Sequence, residues 1–148
     1  MMGGEVMRTR HVLLRAWTRM MRGRLGEAAE MLDSVNAVEP RDRLFLVALE
    51  VGLARRAGDT LALRRVWAQA GECLVRHPVD LFTFLPLSEF VVAAARLRDP
   101  GRLGTAVGDA FKLLKRLGDP GLWSAPLHWA GVQAAIITDN EVSAHIQA

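Results

Sequence analysis

The strongest constraint on this chain is an echo of itself forty residues on. ARRAGDTLALRRVW (54–67) reappears in AARLRDPGRLGTAV (94–107), pairing Ala54 with Ala94, Arg56 with Arg96, Asp59 with Asp99 and Leu63 with Leu103. A third copy starts at Ala134 and places Asp139 another forty residues on. The preceding segments keep the same register. FLPLSEFVVAA (84–94) lies against SAPLHWAGVQAA (124–135), with Pro86 on Pro126, Leu87 on Leu127, and Val51, Val91 and Gly131 in one column. Several independent matches at one period are the signature of repeated supersecondary units.

Each unit reads as a pair of helices. The chain has no tyrosine, no sustained polar–apolar alternation and no Asn-Gly turn, so strands are not expected. Apolar residues recur instead at three- and four-residue steps: Leu44, Val47, Val51 and Ala54 form one stripe, and Leu63, Val66, Trp67, Ala70 and Leu74 another. Gly58-Asp59, Asp99-Pro100-Gly101 and Gly118-Asp119-Pro120-Gly121 supply turns and helix starts, and Pro40 and Pro78 end two further segments. These signals predict helices near 6–22, 25–38, 42–57, 60–76, 81–98, 101–117 and 122–138. The closing NEVSAHIQA, capped by Asn140, begins an eighth. Such an array needs a capping element that two turns do not supply, so the sequence reads as a piece of a longer protein.

Composition limits what these helices can do. At 148 residues the chain suits one domain with a modest core, and 51% hydrophobic with 24% charged residues is neither disordered nor membrane-like. No apolar run approaches the roughly 20 residues of a membrane span. The opening MMGGEVMRTRHVLL lacks a signal-peptide pattern, because Arg15 interrupts its apolar run. A lone Cys73 excludes an internal disulfide and fits a reduced, cytoplasmic setting. Net charge is +3, with Lys112 and Lys115 the lysines among 19 basic residues. Arg8, Arg15, Arg19 and Arg22 share one helix side that could meet phosphates, but too few aromatics interleave for base stacking, and a solvated face is expected.

The first unit, AWTRMMRGRLGEAAEMLDSVNAVEP (16–40), resembles a tetratricopeptide repeat. The turn from Gly23 to Ala28 precedes a helix carrying Leu32 and Val35, Pro40 closes the unit, and Ala16 and Ala28 occupy the small-residue positions. Arg15 and Arg19 depart from the motif's leucine and aromatic, and later units exceed its 34 residues. Over roughly 80–148 the run LSEFVVAAARLRDPGRLGTAVGDAFKLLKRLGDPGLWSAPLHWAGVQAAI is similar to the helical-repeat region of large LuxR-type, MalT-like transcriptional regulators of actinobacteria. Such proteins place an ATP-binding domain before the repeats and a helix-turn-helix after them. This chain has no G-x-x-x-x-G-K-S/T loop and no exposed polar recognition helix.

The resemblance implies an all-α, right-handed superhelix of tetratricopeptide-like helix pairs, about seven helices plus a partial eighth. One domain, 1–148, holds units at about 6–40, 41–78, 80–118 and a truncated 121–148. It also implies a sensory or coupling segment of a transcription regulator, with a protein, a peptide or a small-molecule effector and the parent regulator's other domains as partners. No cofactor, no membrane and no direct nucleic-acid contact by this segment are expected. The alternatives are a free-standing tetratricopeptide-type adaptor and a homo-oligomerisation module forming a homodimer through the incomplete last unit.

Catalysis is not expected. His11, His77, His128 and His145 fall in four different units without metal-ligand spacing. Cys73, among Ala70, Leu74 and Val75, reads as a buried inert thiol, and Asp59, Asp99 and Asp139 read as turn and cap residues. In arrays of the resembled kind the first helices line a concave face. That register carries Leu13, Trp17, Met20 and Met21 to the groove, then Phe45, Ala48, Arg55 and Arg56, then Ser88, Val92 and Arg96, then His128, Val132 and Ile136. Trp17, Met21, Arg55, Arg56, Ser88, Arg96 and His128 are the candidate partner contacts, with the arginines suited to a carboxylate or an acidic peptide. Trp67, Trp123, Trp129, Phe82, Phe84 and Phe90 read as packing residues.

Overall fold

Turn chemistry sets most of the helix ends. The computed structural model describes residues 2–76, 80, 84–118 and 121–147, without the side chains of 2, 3, 6, 121–124 and 140–147. Among the described residues the chain is all-helical, with no strand. Pro78, Phe82 and Asp119-Pro120 lie outside them, as do the side chains of Trp123 and His145 and the whole of His77. The chain divides into two compact units, Met1–His77 and Pro78–Ala148.

In the first unit α1 (Met2–Met21) packs on α2 (Leu25–Asp33) and α3 (Pro40–Ala57), and α3 packs in turn on α4 (Thr60–Arg76). The apolar stripes expected from spacing face inward, α3 through Leu44, Val47, Val51 and Ala54 and α4 through Leu63, Val66, Trp67 and Ala70, while Leu74 at the end of the second stripe is half-buried. Because α3 has neighbours on both sides it also buries Phe45, Ala48 and Leu49. Ala16 and Ala28 are fully buried, so the two small residues sit where α1 and α2 meet the core. The second helix ends at Asp33, five residues before the expected 38, and the chain stays irregular until Pro40. Glu39 is extended (φ −64°, ψ 136°), as a residue before proline prefers, and Pro40 opens α3.

In the second unit α5 (Phe84–Arg96) packs chiefly on α7 (Gly121–Gln147), and also on a 3-10 turn (Pro100–Leu103) and on α6 (Ala106–Arg116). Phe84, Leu87, Phe90, Ala93, Ala110, Leu114, Leu127 and Ala130 form the core. The helix expected over 101–117 is broken at Gly104, whose φ of 55° is outside the helical region, so α6 begins only at Ala106. The eighth helix does not form as a separate element. α7 runs through Asp139 and Asn140 to Gln147, so neither residue marks a helix end. The reason is local: TDNEVS has no glycine or proline, and the Thr138 hydroxyl bonds back to the Ala134 carbonyl at 3.0 Å within the same helix.

The other two copies of that aspartate do lie at helix ends. At the end of α3 the Gly58 N–H donates to the Arg55 carbonyl (3.2 Å) and the Asp59 N–H to the Ala54 carbonyl (3.0 Å), with Gly58 left-handed at φ 72°. At the end of α5 the Arg98 N–H donates to Ala95 (3.2 Å) and the Asp99 N–H to Ala94 (2.9 Å), with Arg98 at φ 56°. These are the paired bonds of a Schellman motif, forty residues apart. Asp59 additionally caps α4, its Oδ1 accepting the Ala62 N–H at 3.0 Å, whereas Asp99 instead receives Arg102 Nε at 2.8 Å. Arg98 is the described non-glycine residue at positive φ, a conformation that costs on the order of 1 kcal/mol for a side-chain-bearing residue. Gly58→Ala, which puts a side chain at φ 72°, is therefore expected to cost about 1 kcal/mol, read as a lower urea midpoint.

Candidate functional site

The seven candidate contacts fall in both units, four in the first and three in the second. In the first, Trp17 is half-buried and sets its ring edge-on to Phe45, with centroids 5.8 Å apart and an interplanar angle of 73°. Met21 is exposed. Leu13, Met20, Phe45 and Ala48, expected toward the groove, are instead fully interior. The physical reason is that α1 and α3 face each other, so the side expected to be open is the side that packs. Arg55 is half-buried at the end of α3. Arg56 Nη1 donates to the Gly52 carbonyl (3.2 Å) and approaches Met20 Sδ (3.6 Å), tying the end of α3 to α1.

In the second unit the Ser88 hydroxyl donates to the Leu85 carbonyl at 2.8 Å and so serves its own helix. Val92 is core, and Arg96 is exposed in the last turn of α5. His128 is exposed on α7 with its ring 5.4 Å from that of Phe111 on α6. Trp129, expected in the core, is 62% exposed. α7 buries Leu127 and Ala130 against its unit, which turns 128, 129, 132 and 136 outward, so Val132 and Ile136 are exposed.

Arg56 and Arg96, one register position in sequence, thus occupy different environments. Arg56→Ala is expected to cost about 1 kcal/mol, through the lost bonds and the buried stem. Arg96→Ala should stay within about 0.5 kcal/mol in the same urea titration. Equal costs would mean that the tether to Gly52 and Met20 carries no weight.

Burial shapes two ionisable groups. It pushes the Cys73 thiol up, mainly by desolvation, which disfavours the reactive thiolate as expected for an inert core cysteine. Desolvation also raises Glu50 on α3, with Arg65 and Arg43 opposing it. A carboxyl raised on folding binds its proton more tightly in the native state, so its contribution to stability falls as pH climbs from the unfolded value past the folded one. Glu50→Gln should therefore stabilise at pH 7, by less than about 1 kcal/mol because the group keeps solvent access, and the gain should vanish near pH 4.

Three features were not foreseen from sequence, the last of them only in its apolar row, since the shared side of Arg8, Arg15 and Arg22 was expected. Asp42, buried in the first turn of α3, receives Arg10 Nε of α1 at 3.1 Å. On α6, Lys112, Lys115 and Arg116 line an open cleft of about 570 Å³. The outer face of α1 carries Met7, Leu14 and Met21 in one row, and Arg8, Arg15 and Arg22 in a parallel one. The sequence signal for that face is a Met-Arg, Leu-Arg, Met-Arg sequence spaced by seven. Arg19, grouped with those arginines by spacing, turns aside to Glu27 of α2 at 3.3 Å. Among the described residues no group of three or more His, Cys, Asp or Glu could hold a metal ion, and no helix is long and apolar enough to cross a membrane. No protein-family model, curated protein or solved structure matches the chain.

Proposed function

We propose that the chain is a non-catalytic, partner-binding helical-repeat domain, the sensory or coupling segment of a LuxR-type transcription regulator. The observation that carries this reading is the recurrence of one helix-ending geometry. Besides the bonds at Gly58-Asp59 and Arg98-Asp99, the Gly23 N–H donates to Met20 (3.0 Å) and the Arg24 N–H to Arg19 (2.9 Å), with Gly23 at φ 79°. The motif therefore ends α1, α3 and α5, the first helix of each of the first three proposed units. A stack of helix pairs re-aims the chain in the same way at each pair, so a recurrent turn supports a repeat array of the tetratricopeptide kind.

Such arrays present long helix faces, which suit a protein, a peptide or an effector held by side chains from several helices. Exposed Arg96, Met21 and His128 are suited to such contacts, and a reduced, cytoplasmic setting goes with the role. The complete reading frame tests the regulator part. A G-x-x-x-x-G-K-S/T loop upstream and a helix-turn-helix downstream are expected. A frame encoding the helical array with neither overturns the regulator assignment and leaves a free-standing adaptor.

A further inference from the structure

We infer that the outer face of α1 is a docking surface for an acidic amphipathic helix of a partner protein. This rests on the partner-binding reading above and names the partner's chemistry. Met7, Leu14 and Met21 are 66%, 40% and 48% exposed, unusual for large apolar side chains repeated on one helix. At 100° per residue they form a slowly drifting row. His11 and Thr18, also exposed, lie between that row and the parallel row of Arg8, Arg15 and Arg22. Positions 7, 11, 14, 18 and 21 alternate steps of four and three, the spacing of a seam that accepts another helix alongside. At 1.5 Å per residue the seam runs about 21 Å.

Charge selects the occupant. Arg10 and Arg19 are turned to Asp42 and Glu27, while Arg8, Arg15 and Arg22 are exposed along the seam. A helix with apolar residues at the seam and carboxylates flanking them would cover the apolar row and meet the arginines. A second copy meeting α1 against α1 would oppose arginine to arginine. Its exposed acidic helix, α2, has nine residues and has already committed Glu27 to Arg19 and Arg24. A bilayer needs a wider apolar face than one residue every two turns. A phosphate backbone would leave the methionines and Leu14 without a role.

The test uses the whole chain and two fluorescent 21-residue peptides. Both carry leucines at four-three spacing, flanked by glutamates in one and by lysines in the other. Anisotropy should show binding of the glutamate peptide, weakening with salt, and none of the lysine peptide. Joint Arg8→Glu, Arg15→Glu and Arg22→Glu changes should weaken it by tenfold or more, on the order of three exposed ion pairs, with an unchanged melting curve. Leu14→Asp alone should weaken it several-fold while leaving the arginines in place. Equal binding of both peptides, or no binding, overturns the inference. So does tighter binding of duplex DNA or of anionic phosphatidylserine vesicles, or a dimer in sedimentation that the arginine changes dissolve. The reading-frame result is independent: regulator flanks without peptide binding overturn this inference alone, and peptide binding without them leaves it standing.

Discussion

Phe45→Ala is expected to destabilise the first unit by about 3–5 kcal/mol, measured as a shift of the urea transition. Phe45 is fully buried in the second turn of α3, the helix with neighbours on both sides. Truncation there removes a large transfer term and leaves a cavity that close-packed helices cannot easily fill. It also deletes the edge-on contact with Trp17, worth about 0.5–1.5 kcal/mol beyond area. Against a typical domain stability of about 5–15 kcal/mol, the variant should hold little margin. Leu61→Ala is the control, since Leu61 is 83% exposed and its loss should stay within about 0.5 kcal/mol. A cost below about 1 kcal/mol at Phe45 would mean that the site collapses freely, and would undo the picture of α3 as the packed centre of its unit.

The sequence made helix ends legible at Gly58 and Gly118 and the start of α3 at Pro40, but it missed the break at Gly104 and the early end of α2 at Asp33. It failed where a stop was inferred from an aspartate alone. Asp139 matches Asp59 and Asp99 in period, yet lacks both the glycine that precedes Asp59 and the proline that follows Asp99, and α7 runs straight through it. Periodicity found the stripes of α3 and α4 because each is several turns long. On α7 the forty-residue alignment put His128 outward and Trp129 inward. Facing α5 through Leu127 and Ala130 turns both outward, a register that depends on packing rather than on spacing. The groove assignments suffered similarly, because whether Met20 or Met21 faces the core is a difference of 100° that only the neighbouring helix decides. Arg10 and Asp42 are 32 residues apart, and no local pattern announces that they meet.

That pair gives the second large effect, and its signature is asymmetry. The Asp42 side chain is 2% exposed and that of Arg10 28%. Arg10→Met takes the guanidinium from a carboxylate that cannot reach water, and should cost about 3 kcal/mol or more. Asp42→Asn leaves an oxygen able to accept from Arg10 Nε, and an arginine that keeps partial solvent, so about 1 kcal/mol is expected. The position of Asp42 in the first turn of α3 adds a helix-end attraction that asparagine retains in part. Replacing both partners, Arg10→Met with Asp42→Leu, removes the stranded charge and should recover most of the loss, because a buried ion pair exchanged for apolar packing is often close to neutral. The coupling energy from the cycle of wild type, Arg10→Met, Asp42→Leu and their double variant then isolates the pair from the packing of its stems. Equal costs for Arg10→Met and Asp42→Asn, or a double variant as poor as the sum of its singles, would show that the cost is ordinary packing loss and that α1 is not held to α3 by charge.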